Sequence, residues 1–389
     1  MLGLPHIHPM ILLLLFQGLI MAYSNKCYPW YHTDRWYIGR INVGGLCNTL
    51  FSVYGQVPLA LLFNASLVVS DMYSRHSFAE KWESFVSNPI TLPFSSFYDL
   101  HKFAAYLKEH KNLTIIEVLD RETCFNNSKI FDITNNNAGN SDSGVLTKLE
   151  LSGISKPLNS SVQLIRVSPS IMVWRFYDFW QSNQHLKLLQ AVHQSLHPAK
   201  SIQQRINSVS EHFSHQNLSY WAIHLRLEPD VVRKSDANDS HFRSILDKQR
   251  QFILSSKCYQ KAIEQNISLP GLYASSGIFQ YSSHHNILFH RAVMVVTMLR
   301  ELGFNTIHHG HYDETMYAEQ QALADLYISK QAECFIPCYM ENPGSASSFS
   351  YMVLRLRQLD SVKELRMEHR ADISDDYRVG YSVFAGWGF

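Results

Sequence analysis

The sequence predicts an α/β protein with two Rossmann-like domains, each a parallel sheet with helices on both faces. Three observations predict it. Strand-like and helix-like segments alternate through the C-terminal half at the spacing of strand–helix–strand units. The N-terminal half opens the same way, with a strand, a glycine turn, a helix and a second strand. The chain has 389 residues and is 46% hydrophobic, enough to bury two ordinary cores.

Taken in order, the first segment is apolar. Met10 to Ala22 reads MILLLLFQGLIMA, broken only by Gln17 and Gly18. It falls short of the roughly 20 residues that a spanning helix needs. Ala22-Tyr23-Ser24 supplies the small-x-small pattern that suits signal peptidase. Residues 1–24 are therefore expected to be a signal peptide, or a short signal anchor if retained, so that membrane attachment depends on cleavage. No Lys or Arg precedes the run, and a buried N-terminal helix is the alternative. Asn64, Asn112, Asn126, Asn159, Asn217, Asn238 and Asn266 each begin an Asn-x-Ser/Thr sequon, which fits a glycoprotein of the secretory pathway. The 6 cysteines, Cys27, Cys47, Cys124, Cys258, Cys334 and Cys338, all follow the cleavage point. An oxidising compartment favours disulfides; buried free thiols are the alternative. No CxxC pair occurs, so zinc is not expected.

Trp36–Asn42 is strand-like, Gly44-Gly45 makes a turn, Leu50–Phe63 is helical and Ser66–Ser70 is a second strand. Ile133 to Gly144 is a polar loop. Ser201–His215 reads as a linking helix, and the expected boundary lies there: an acceptor-side domain over 25–215, a donor-binding domain over 216–389. In the second domain, Trp221–Leu225 is a strand, Ser244–Gln265 a helix and Leu272–Ser275 a strand. Ile287–Leu302 is a helix closed by Gly303. Phe304–His308 is a strand, Glu314–Ser329 a helix, Glu333–Tyr339 a strand and Ser347–Asp360 a helix.

The candidate site lies where these strands end, because open parallel sheets bind ligands beyond their carboxyl ends. In YWAIHLRLEPD, an apolar strand runs into His224, Arg226, Glu228 and Asp230. A fixed guanidinium there can hold a phosphate bidentately; a buried Arg–Glu pair is the structural alternative. Glu341 to Ser348 joins a strand to a helix through small and hydroxyl residues, leaving amides to hold an anion, with Arg355 and Arg357 following. An ordinary serine cap is the alternative there. Asn42 to Asn48 has the same strand–glycine–helix context without a GxGxxG pattern. Together these turns and Arg226 favour a nucleotide sugar in a cleft between two sheets.

Other features carry less. A formal net charge of +1 and a charged fraction of 17% leave no electrostatic footprint for nucleic acid. His308-His309-Gly310-His311 resembles a metal cluster, but solvent-exposed loop histidines are the better reading. Asp372, Asp375 and Asp376 sit in a polar tail. The aromatic residues read as core filling.

At the residues just described the chain resembles the GDP-fucose O-fucosyltransferase family, in its protein O-fucosyltransferase and plant-type forms. The likeness is carried by Gly39 to Asp71, by SFYDLHKFAAYLKEH, by HLRLEPD, by LYASSG, and by DLYISKQAECFIP with SSFSYMVLRLR. It spans roughly residues 36 to 360. The resemblance implies a GT-B fold facing a central nucleotide-sugar cleft. It implies inverting transfer of fucose from GDP-fucose to a protein or glycan hydroxyl in the endoplasmic reticulum or Golgi lumen, with no cofactor required. By position, Arg226 would hold the diphosphate and stabilise it on departure, and His224 would support the nucleotide. Asp325 would reach the guanine. Ser347, Ser348 and Phe349 would close on phosphates and base, and Gly44, Gly45 and Asn48 would line the sugar–phosphate side. Some members carry a Glu in the first loop where this chain has Gly45 and Leu46, which leaves Glu228 and Asp230 as candidates for the base. A transferase of the same fold using a UDP-sugar such as UDP-rhamnose is the alternative within enzymes. A catalytically silent secreted glycan-binding protein is the alternative outside them.

Overall fold

A computed structural model describes residues 37–40, 46–62, 65–69, 71–76, 90–117, 129–133, 162–167, 183–227, 239–280, 286–310, 313, 315–339 and 347–361. The apolar leader, the polar loop after Ile133, His311 and the acidic tail lie outside those residues.

The N-terminal sheet contains β1 (Tyr37–Arg40), β2 (Ser66–Val69), β5 (Ile115–Glu117), β6 (Lys129–Ile133) and β7 (Val162–Val167). All pairings in it are parallel, in the order β5-β2-β1-β7-β6. Two short strands, β3 (Met72–Ser74) and β4 (Ile90–Leu92), form a separate antiparallel pair. The helices of this half are α1 (Leu46–Leu62), α2 (Leu100–Lys111), α3 (Asn183–Ser195) and α4 (Lys200–His215). The expected boundary near 215 falls in the turn between α4 and the next strand.

The C-terminal sheet is built from β8 (Tyr220–His224), β9 (Gly271–Ser275), β10 (Ile307–His309) and β11 (Cys334–Ile336), parallel throughout in the order β10-β9-β8-β11. Its helices are α5 (Asp239–Ser255), α6 (Lys257–Glu264), α7 (Asn286–Glu301), α8 (Ala318–Gln331) and α9 (Ser348–Ser361). Every residue of β8 and β9 is buried, as expected of strands covered on both faces. The two sheets, each parallel and each wrapped by helices, are the α/β architecture expected of a GT-B protein.

Local chemistry explains where the elements differ from their expected spans. The helix expected over 244–265 is two helices. Ser256 adopts extended backbone and its hydroxyl accepts from the Tyr259 amide, capping a new helix. The bend brings Cys258 to Cys334, and the two form a disulfide. The strand expected from Phe304 begins at Ile307, because Phe304 closes the end of α7: its amide donates to the Leu299 carbonyl and its ring is buried. The helix expected from Leu50 begins at Leu46, so the residues following the glycine turn are already helical. His308 and His309 are a correction. They are not solvent-exposed loop residues but partly buried members of β10, packed on Tyr273 and Phe279 with ring centroids 5.8 and 4.7 Å apart.

Apolar burial falls into two clusters, one on each face of the C-terminal sheet. The outer cluster is formed by α5, α6 and α7 with Ile223, Leu225, Leu227 and Ile336. The inner cluster joins α4, α8 and α9 to α1, α2, α3 and β2 of the N-terminal half as one continuous core. Polar interlocks cross this inner layer. Glu319, 1% exposed, accepts from the Ser74 hydroxyl at 2.8 Å, the Arg75 amide at 2.6 Å and the Arg75 Nε at 2.9 Å. His193 shares protons with the Tyr54 hydroxyl at 3.0 Å and with Asp360 at 2.9 Å. Lys330 reaches Asp360 at 3.0 Å. Each half therefore buttresses the other. No helix of the described residues is long and apolar enough to cross a membrane.

Candidate functional site

Both sheets change direction at a switch point. β1 lies between β2 and β7, and β8 between β9 and β11. Connections leave such strands to opposite sides, and a crevice opens beyond their carboxyl ends. Sequence placed its strongest signals at these ends. β8 ends at His224, the helix after β1 is α1, and the helix after β11 is α9.

Strand periodicity sets which way the residues of β8 face. Leu225 and Leu227 are buried in the outer cluster. The Leu225 amide donates to the Ser275 carbonyl at 2.9 Å, which extends the ladder past His224. His224 and Arg226 alternate to the inner side, where α1 and α9 begin. Arg226 is partly buried. Its charge reaches both neighbours: it adds to the lowering of His224 and opposes the raising of the Cys47 thiol. Arg226 stands where the starts of α1 and α9 converge.

His224 is held rigidly. Its Nδ1 lies 2.7 Å from the Ser350 hydroxyl, and its ring centroid is 4.6 Å from that of Phe349. Burial pushes its pKa down to about 3, with the Arg226 charge adding to the effect. The imidazole is therefore neutral at physiological pH. Ser350 also accepts from the Cys338 amide at 3.2 Å, so one hydroxyl ties β8, the exit of β11 and the first turn of α9.

α9 begins after Ser347, whose side chain is 3% exposed and whose carbonyl takes the first helical bond, from Tyr351 at 3.0 Å. The amides before Tyr351 precede that first helical bond, and such first-turn amides are the groups that can hold an anion. Ser348 hydrogen-bonds the Cys47 side chain in the first turn of α1. Burial drives the Cys47 thiol up to about 12 although Arg226 and Ser348 both oppose it, so Cys47 packs as a neutral group. Cys47 and Cys338 are buried thiols that take part in no disulfide.

Asp325 lies one strand over. Ser275, in register with His224, donates to Asp325 at 3.3 Å, and the Tyr273 hydroxyl donates at 2.6 Å. The carboxylate is 3% exposed and is packed against the backbone of Gly310. A Cβ there would sit 3.2 Å from both Asp325 Oδ1 and the Tyr273 hydroxyl, tighter than ordinary contact, and glycine avoids the clash.

The structure thus gathers His224, Arg226, Ser347, Ser348 and Phe349 at the end of β8, with Asp325 beside them on the β9 side. Of Asn48 it describes the helical backbone in the first turn of α1 and not the side chain. Gly44, Gly45, Glu228 and Asp230 lie outside the described residues. Arg357 is corrected as an anion ligand. Arg355 stacks over the Tyr351 ring at 4.9 Å. Arg357 donates to the carbonyls of Lys330, Ala332 and Glu333, satisfying the end of α8. Sequence reasoning missed Cys47, Tyr273 and Ser350. Ser350 had a signal, since it follows Ser347 at the spacing that shares a helix face. Among the described residues, no group of three or more His, Cys, Asp or Glu side chains is placed to hold a metal ion.

A family model described as GDP-fucose protein O-fucosyltransferase matches residues 37–360. No curated protein sequence matches the chain. Among solved structures, POFUT1 in complex with GDP is similar at 14% identity and a TM-score of 0.49, over 84% of this chain and 95% of that one. POFUT1 in complex with GDP-fucose is similar at 14% identity and 0.49, over 85% and 95%. The fucosyltransferase NodZ from Bradyrhizobium is similar at 14% identity and 0.45, over 82% and 92%.

Proposed function

The chain belongs to the GDP-fucose protein O-fucosyltransferase family, and from that premise we propose inverting transfer of fucose to a hydroxyl of a protein or glycan acceptor in the lumen of the endoplasmic reticulum or Golgi. Membership makes the chain a fucosyltransferase with GDP-fucose as its donor. The observation that carries the finer reading is Arg226, anchored between two buried leucines beside the first turns of α1 and α9.

The division of labour follows from charge. Cleavage at the anomeric carbon gathers negative charge on the departing diphosphate. A permanently charged guanidinium and the amides of the α9 first turn, fixed before the reaction, stabilise that charge without reorganising. Neutral His224, pinned by Ser350 and Phe349, supports the nucleotide without adding a second positive charge. Asp325 is an acceptor-only group when ionised. Guanine offers two adjacent N–H donors on one edge and uracil offers one between carbonyls, so a carboxylate favours the guanine nucleotide. Removal of the acceptor proton is assigned to Glu228 or Asp230, both on the segment that leaves β8 directly after Arg226.

The experiment is nucleotide-dependent thermal stabilisation and turnover of residues 25–389 and of its Arg226→Ala variant. Stabilisation by GDP and GDP-fucose but not UDP is expected; ligand at 100 times its Kd adds about 2.7 kcal/mol. Arg226→Ala should lower kcat by roughly 10²–10³-fold with little change in Tm. Near-normal turnover in that variant sinks the role of Arg226. A shift with UDP alone moves the donor to another sugar nucleotide, and no shift with any nucleotide favours the silent binding protein.

A further inference from the structure

Four helices end on one device. α2, α4, α6 and α7 each stop at a residue of left-handed backbone, namely Asn112, Asn217 and Asn266 (each φ 52°) and Gly303 (φ 95°). In each case the hydrophobic residue that follows returns its amide to the helix: Leu113 to Leu107, Leu218 to Phe213, Ile267 to Ala262 and Phe304 to Leu299, at 3.1, 3.0, 2.9 and 3.2 Å. This closure prefers glycine, with asparagine next. The cap therefore accounts for the three asparagines. It does not account for the hydroxyl residue that stands two positions after each of them, Thr114, Ser219 and Ser268, nor for the lack of one two positions after Gly303, where Asn305 stands. Every non-glycine residue with positive φ among the described residues begins an Asn-x-Ser/Thr sequon.

Position adds a second line. All three asparagines are exposed. Each ends a helix that leads into a strand: α2 into β5, α4 into β8 and α6 into β9. They therefore lie along the amino edges of the two sheets, opposite the carboxyl edges that hold Arg226 and Asp325. Lys108 donates to the Asn112 Oδ1 at 3.1 Å, the carbonyl side of that amide, and the nitrogen takes no part in the bond. Around Asn266, Ile263 and Ile267 are 57% and 55% exposed, an apolar pair that a bulky neighbour would cover.

We propose that Asn112, Asn217 and Asn266 are N-glycosylation sites, the helix caps of the back edge doubling as glycan carriers. The co-substrate is a lipid-pyrophosphate-linked oligosaccharide. The asparagine Nδ2 gives up a proton and bonds the anomeric carbon of the first sugar, while the bond from that carbon to the pyrophosphate oxygen breaks and the lipid pyrophosphate leaves with its electron pair. The proposal rests on the luminal placement above. The glycans project away from the donor crevice, and the one on Asn266 shields Ile263 and Ile267.

The test is peptide mass spectrometry of the full chain expressed through a eukaryotic secretory pathway, with enzymatic deglycosylation in heavy-oxygen water to mark each occupied asparagine. All three positions should be marked. Thr114→Ala, Ser219→Ala and Ser268→Ala should each remove one glycan and leave GDP binding unchanged, because they abolish the sequon and spare the capping asparagine. Asn217→Gly, which keeps the left-handed cap, should lose its glycan with Tm close to the deglycosylated parent. If other sequons are marked and these three are not, the proposal is overturned and luminal placement stands. If no asparagine is marked, luminal placement falls and the proposal with it.

Discussion

The two faces of the C-terminal sheet are built differently. The outer face, against α5, α6 and α7, is an apolar layer closed by the Cys258–Cys334 disulfide, with Arg291 over the Phe242 ring as a charged exception. The inner face, against α1, α3, α4, α8 and α9, holds buried His193, His224, Glu319 and Asp325 beside its apolar core. Desolvating such groups is costly unless each finds partners, and each does. The difference teaches that the outer face serves stability, while the inner face both joins the two halves and presents the site. Ionisable groups are concentrated where the sheets meet.

The largest test of that contrast is the outer face. Opening the disulfide with Cys258→Ala and Cys334→Ala releases a loop of 76 residues' separation. The expected loss is about 4 kcal/mol of unfolding free energy, read by denaturant titration, with the affinity for GDP retained under folding conditions. A matching loss of GDP binding would show that the outer face is not merely structural. On the inner face, Glu319→Ala removes the Arg75 ion pair and the carboxylate that accepts from the Ser74 hydroxyl. Removing one partner of a buried pair costs about 3 kcal/mol, and here the loosening should also reach the donor site, since α8 carries Asp325. Unfolding free energy and GDP affinity measured on one preparation separate these effects; an intact affinity would mean that the interlock and the site are independent.

A smaller effect depends on pH. The folded pKa of His224 lies at about 3 against an ordinary 6.5, so the unfolded chain binds a proton that the folded one refuses. Between those values stability falls as pH falls, by up to about 1.4 kcal/mol per pH unit. His193 and Asp360 are also lowered. The histidine acts in the same sense below its ordinary pKa. The carboxylate contributes stability above its ordinary pKa that is lost on further acidification. His224→Gln should flatten the stability curve between pH 6.5 and 5, and an unchanged slope would remove His224 as its cause. The mildest change is Tyr273→Phe, which deletes one hydrogen bond to Asp325 at about 1 kcal/mol. GDP affinity should fall by about fivefold with kcat little altered, whereas a change in kcat alone would place Asp325 away from the base.

Legibility also differed between regions. β8, β9, α7 and α9 stood out because buried parallel strands are apolar throughout and the helices between them are periodic and capped. β3 to β7 were not read, because three of them are only 3 residues long, and segments such as KIFDI and VQLIRV carry no strong turn signals beside them. Arg226 was legible as a charge at the end of an apolar strand. Tyr273 was not, because a tyrosine within such a strand reads as core until the carboxylate that it bonds is known.

By itself the sequence determined the two α/β halves, the strand-end Arg226 and His224 and the serine start of α9. Each follows from local chemistry, in apolar runs, caps and turns that depend on neighbours a few residues away. Only the tertiary structure decided that Arg357 caps α8 instead of holding an anion, that Cys258 pairs with Cys334, and that Cys47 meets Ser348. It also decided that Asp325 hangs from Tyr273 and Ser275. These contacts join residues from 24 to about 300 positions apart, and which of them form is fixed by the packing of two sheets against one shared layer of helices.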